Sequence, residues 1–227
     1  MWVIGTAVLI VTTVAGASGW LAYRELRASA EFKRANGLAR AERSAEATVA
    51  YERSVELWPS ERRYWLELGF ARRHAARNLN ETQAKGWLVQ SVADVDRSIA
   101  IDPENPLYLS KWADVVGEAA QRLGDQALAQ KALQGTERAL AIAPDRWLLW
   151  SDAGLTYLRL NKPVEARNAL ARALMLYDRD WVIFARYGDA NAAVGDKQTA
   201  RRAYQTALAM VGKHQGVEEA LARLGPE

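Results

Sequence analysis

The side chains of this 227-residue chain best suited to acid–base or metal chemistry are two histidines, His74 and His214, and 27 aspartates and glutamates. The histidines lie far apart, and neither has a second ligand at the spacing a zinc site needs. Glu52, Glu56 and Glu61 stand on charged helical stretches, where carboxylates are solvated rather than paired as acid and base. No glycine-rich phosphate loop and no Gly-x-Ser-x-Gly nucleophile elbow occurs. Cysteine is absent, which excludes a disulfide framework, a zinc knuckle and a thiol nucleophile. The expectation is a noncatalytic chain with no catalytic, cofactor-binding or metal-ligating residue, no cofactor and no small-molecule substrate.

Stepping from chemistry to the elements, half of the residues are hydrophobic, with only 6 prolines and 15 glycines. That composition suits long helices joined by short turns. The net charge of +3 is local. Residues 1–23 carry no charged side chain, and residues 24–43 hold six basic groups (Arg24, Arg27, Lys33, Arg34, Arg40, Arg43) against three acidic ones (Glu25, Glu31, Glu42). The rest of the chain is balanced, so the basic face of a nucleic-acid binder is not expected.

Self-similarity is legible near the C-terminus. The segment WLLWSDAGLTYLRLNKPVEARNALARALMLYD from Trp147 aligns with WVIFARYGDANAAVGDKQTARRAYQTALAMVG from Trp181. Gly154 recurs as Gly188, Ala166 as Ala200, Leu170 as Tyr204 and Ala173 as Ala207. Small residues at such positions let two antiparallel helices cross closely, while Trp150, Tyr157 and Leu170 fill the space between pairs. Pro163 suits the first turn of a second helix.

Upstream, AEATVAYERSVELWP ends a first unit whose opening helix is expected over Glu31 to Arg40. YWLELGFARR opens a second, which ends at Pro103 with extra residues around Asn78 to Gly86, as a longer loop or as longer helices. A third runs from Pro106 to Pro144, with Trp112, Ala113 and Val116 on its first helix. Trp65, Trp112 and Trp150 take core positions, and Trp58, Trp147 and Trp181 fall at turns between units. The stretch from His214 to Leu224 is expected to cap the stack.

This pattern resembles the tetratricopeptide repeat (TPR), a helix–turn–helix unit of the same period, over residues 31–212. More loosely, ERRYWLELGFAR, ENPLYLSKWADVV and IAPDRWLLWSDAGLTYL are similar to the repeat-bearing tails of O-antigen ligase or polymerase family proteins. The membrane helices and loop residues of those enzymes are missing, so their activity does not carry over. The TPR resemblance implies a concave groove lined by first helices, which takes peptides or helices of partners. By that resemblance the groove positions are Phe70, Arg73, Asp114, Leu155, Arg159 and Asp189. The arrangement of two lysines and two asparagines used by chaperone-tail-binding members is not reproduced.

WVIGTAVLIVTTVAGASGWLAY, from Trp2 to Tyr23, has no ionisable residue and as a helix would span about 33 Å, the thickness of a hydrocarbon core. Trp2, Trp20 and Tyr23 would mark its ends. Ala15-Gly16-Ala17 also has the form of a signal-peptide cleavage site, although no basic residue precedes the apolar run. Basic residues after the span place the repeats in the cytoplasm by the positive-inside bias and allow contact with membrane lipids. Thr12, Ala15, Gly16 and Gly19 form small-residue faces against which another helix could pack.

The expected fold is therefore all-α: a single N-terminal transmembrane helix, then a TPR-like α-solenoid of about five helix pairs and a C-terminal capping helix. The expected domains are a transmembrane helix over 1–23, a basic juxtamembrane segment over 24–43 that leads into the solenoid over 31–212, and a cap and tail over 213–227. The expected function is a membrane-anchored scaffold or assembly subunit. It would be a single-pass protein of the bacterial inner membrane that binds protein partners, among them subunits of a membrane complex. An accessory module of an envelope-polysaccharide system and a membrane-tethered chaperone are the alternatives.

Overall fold

The structure is a computed structural model describing residues 2–77 and 79–225, with side chains from Ser18 onward. Every element among the described residues is an α-helix. The chain divides into two units, Met1–Ile101 and Asp102–Glu227.

The first unit holds two antiparallel pairs, α1 (Trp2–Arg40) with α2 (Ser44–Leu57) and α3 (Arg62–Ala76) with α4 (Glu81–Ile101). In α1, Ala28, Phe32 and Ala35 recur at helical spacing and are buried, Phe32 and Ala35 in a core with Ala47, Ala50 and Tyr51 of α2 and Leu68 of α3. In the second pair the helices approach closely at Gly69, where a β-carbon would stand 2.6 Å from Val95 Cγ1 and 3.1 Å from Ser91 O. Two small polar residues of α4 use that proximity: Ser91 donates to Gly69 O at 2.7 Å and Ser98 to Arg62 O at 2.8 Å.

The expectation of a transmembrane helix over residues 1–23, and of a single-pass membrane protein with cytoplasmic repeats, is corrected here. Among the described residues no helix is long and apolar enough to cross a membrane. The physical reason lies in the charged stretch that follows: the same helix runs on through the charged residues 24–40, where Phe32 and Ala35 pack against α2. Thr12, Ala15 and Gly16 lie outside the described side chains. At Gly19 nothing approaches within 4 Å of where a β-carbon would stand.

The second unit holds three pairs and a final helix: α5 (Pro106–Leu123) with α6 (Gln126–Ile142), α7 (Trp147–Arg159) with α8 (Pro163–Leu176), α9 (Trp181–Ala193) with α10 (Lys197–Val211), then α11 (Gln215–Arg223). Side-chain caps open most of them. Asn105 accepts from Tyr108 N, Asp125 from Ala127 N and Leu128 N, Asp180 from Val182 N and Asp196 from Thr199 N. Gly124 ends α5 in the left-handed region, at φ 64°. In α11, Val217, Ala220 and Leu224 cover Ala200, Tyr204 and Ala207 of α10, closing the apolar end of the stack.

The extra residues of the second and third repeats are taken up mainly as helix. α4 has 21 residues and α5 and α6 have 18 and 17, against 13 and 14 in α7 and α8. The third pair also reverses the usual close crossing: the large residue is Trp112 on the first helix and the glycine, Gly135, lies on the second, directly under the indole.

Candidate functional site

The six positions inferred for a groove all lie on first helices: Phe70 and Arg73 on α3, Asp114 on α5, Leu155 and Arg159 on α7, and Asp189 on α9. The structure brings some of them together. Arg73 is buried with its guanidinium 4.9 Å from the centre of the Phe70 ring. Arg159 is ion-paired with Asp114 and lies 3.2 Å from Glu118. Asp189 accepts a 2.8 Å hydrogen bond from the Tyr204 hydroxyl of α10, and burial pushes that phenol well above its usual range. Leu155 is half-buried.

The Asp114–Arg159–Glu118 cluster ties α5 to α7, two first helices of the second unit. Asp152 of α7 accepts from Lys111 and Ser110 of α5, both at 3.0 Å, and lies 3.6 Å from Arg186 of α9. Arg186 in turn donates to Ser151 Oγ at 2.9 Å. α5, α7 and α9 therefore present a surface whose charges largely satisfy one another.

The first unit is built differently. α1 and α3 each pack on α2 and touch each other through the Phe32 and Tyr64 rings, whose centres lie 4.6 Å apart. Between them lies a cleft of about 510 Å³, with Ala47 and Tyr51 of α2 as floor, Ala39 and Glu42 on the α1 side, and Glu67, Phe70 and His74 on α3. A neighbouring cleft of about 380 Å³ continues between the same helices past Asn36 and Lys33. The Tyr51 hydroxyl donates to Asn36 Oδ1 at 2.7 Å. Burial, with the negative charge of Glu67 adding to it, pushes that phenol up to about 12. Desolvation also raises the Glu67 carboxyl, against the lowering effect of Arg63.

Glu67, Tyr51 and His74 were absent from the residues inferred for the groove. Arg63, Glu67, Phe70, His74 and Arg77 follow one face of α3 at spacings of three and four, a pattern present in the sequence. Nothing in that pattern shows that a cleft separates α1 from this face at Glu67 and Phe70.

Behind the cleft, Arg72 bridges Glu52 at 2.6 Å and the buried Asp94. Desolvation raises the Asp94 carboxyl to about 6 even though Arg72 opposes it. Among the described residues no group of three histidines or carboxylates could hold a metal. His214 caps α11, its Nδ1 accepting from Val217 N at 3.4 Å, and its ring lies 4.6 Å from Trp181.

No family model matches the sequence, and no curated protein matches it. The looser similarity to O-antigen ligase tails accordingly gains no support. Solved structures do match. A thermophilic TPR protein of Thermus thermophilus superposes with a TM-score of 0.70 at 17% identity, over 87% of this chain and 98% of that one. PilW, a widely conserved type IV pilus biogenesis factor, gives 0.65 at 13% identity over 87% and 90%. YrrB, a TPR protein with an unusual peptide-binding site, gives 0.50 at 15% identity over 84% and 89%. At these identities the likeness is one of fold, and the fold of this chain is that of TPR proteins.

Proposed function

We propose that the chain is a noncatalytic protein-interaction scaffold that holds a segment of a partner protein in the α1–α3 cleft of its first unit. Phe70, on the wall of that cleft, is the inferred groove position that engages it. The observation that carries the reading is the open cleft itself. Ion pairs tie the first helices of the second unit, whereas α1 and α3, touching through Phe32 and Tyr64, leave about 510 Å³ open above the Tyr51 ring, within the size range of small-ligand and side-chain pockets. The TPR fold supports it, and the similar structure YrrB is described as carrying a peptide-binding site.

Selection of a displayed random-peptide library on the immobilised full-length chain tests the proposal. Recovered peptides are expected to bind the wild type and to lose at least tenfold in affinity on Phe70→Ala, because the wall of the cleft is removed. Peptides that bind Phe70→Ala as well as the wild type, or no recovered peptide at all, would refute it.

A further inference from the structure

Glu67 stands apart from the other buried or half-buried carboxylates of the repeats. Asp94 has Arg72, Asp114 and Glu118 have Arg159, Asp152 has Lys111, and Asp189 has the Tyr204 hydroxyl. Glu67 is half-buried in the wall of the cleft, and among the described residues no hydrogen bond or ion pair reaches it. The natural internal partner would be Arg63, one turn earlier on the same face. Its guanidinium lies instead over the Phe32 ring, 4.9 Å from the centre, on the α1 side of the neighbouring cleft.

The surroundings of Glu67 are shaped for a cation with an apolar stem. Tyr51 and Ala47 supply an apolar floor and Phe70 an aromatic wall. Phe70 already accepts one guanidinium, from Arg73. Glu42 adds a second negative charge across the cleft, on the α1 side, while the basic lining residues His74 and Arg77 lie at the C-terminal end of α3. A half-buried carboxylate with no donor of its own gains from a charged donor brought by another molecule.

We infer that the α1–α3 cleft binds its partner segment through one basic side chain, arginine or lysine, whose cation pairs with Glu67 while its methylene stem lies on Tyr51 and Phe70. This rests on the scaffold reading above and names the partner chemistry of that site. The long stem and charged head of such a side chain match an apolar passage that ends in an anion.

The test uses the full-length chain labelled with nitrogen-15 and two short blocked alanine peptides, one with a central arginine and one with norleucine in its place. The arginine peptide is expected to bind at least tenfold more tightly and to shift the amide signals of Glu67, Phe70 and Tyr51. Glu67→Gln should abolish that preference while helicity by circular dichroism stays unchanged. Equal binding of the two peptides by the wild type overturns the inference, as does an arginine preference that survives Glu67→Gln. Should that variant fail to fold, the wild-type comparison of the two peptides still decides. Selected peptides that bind in the cleft without basic residues would sink the inference and leave the scaffold reading standing. The absence of any binder would remove both.

Discussion

Leu170 of α8 covers Gly154 of α7 so closely that a β-carbon on Gly154 would stand within 2.9 Å of Leu170 Cγ, Cδ1 and Cδ2. One repeat later the Tyr204 ring covers Gly188 in the same way. The crossing distance of each pair is thus set by a glycine on one helix and a large side chain on the other.

Gly154→Ala should therefore destabilise the chain by about 1–3 kcal/mol through overpacking. Gly86, on an exposed part of α4 with nothing within 4 Å of its β-carbon position, provides the contrast. There the same replacement should stabilise by about 0.4–1 kcal/mol, because it only restricts the unfolded chain. Urea unfolding of both variants should move the midpoint in opposite directions.

Trp65 and Trp150 share a bond that their core-like spacing does not announce. Each indole nitrogen donates to a proline carbonyl six residues earlier, Pro59 at 2.8 Å and Pro144 at 2.7 Å, tying the turn between repeats to the helix that follows. Replacement by phenylalanine keeps most of the ring and removes the donor. Trp65→Phe and Trp150→Phe should each cost about 1 kcal/mol in thermal or urea unfolding. Costs near zero would show that water replaces the indole at the carbonyl.

Arg159 links α7 to α5 through Asp114 and Glu118, all three groups being largely buried. Arg159→Met leaves two carboxylates close together without their cation. A loss of about 2–3 kcal/mol is expected, toward the lower part of the range for broken buried pairs because some solvent still reaches the site. Peptide affinity at the α1–α3 cleft should be unchanged at temperatures where the variant is folded. A binding loss without a stability loss would make Arg159 a ligand contact instead.

Burial raises the Asp94 carboxyl from 3.8 to about 6. The folded protein then retains a proton on Asp94 over a range where the unfolded chain has released it. The stabilisation from this group is present in full below pH 3.8 and is lost as pH rises through about 6. Asp94→Asn removes that slope. The stability of the variant relative to wild type should rise by about 2 kcal/mol between pH 4 and 7, measured by urea unfolding. A relative fall over the same range would mean that the Arg72 pair outweighs desolvation.

Much of this architecture is local and could be read residue by residue. The recurrence of Gly154 as Gly188 and of Leu170 as Tyr204 encodes contacts between helices adjacent in sequence, where a short turn leaves few ways to pack. Helix starts at Asp125, Asp180 and Asp196 follow from side chains that satisfy backbone groups two or three residues on. The small and large positions of the third pair were legible, but their reversal at Trp112 and Gly135 was not, since spacing does not show which helix gives way.

Other features belong to the tertiary structure alone. An apolar run followed by basic residues suggested a span and its flank. Apolarity describes how a segment partitions, whereas the burial of Ala28, Phe32 and Ala35 depends on α2 lying against them. The ties from Arg159 to Asp114 and from Arg186 to Ser151 join residues 45 and 35 positions apart, beyond any local pattern. The same holds for the residues with side chains suited to acid–base chemistry. His74 and Glu67 are ordinary helix-face residues by spacing. The cleft beside them exists because α1 and α3, both resting on α2, touch through Phe32 and Tyr64 yet leave space at Glu67, and that depends on side chains distant in sequence packing together.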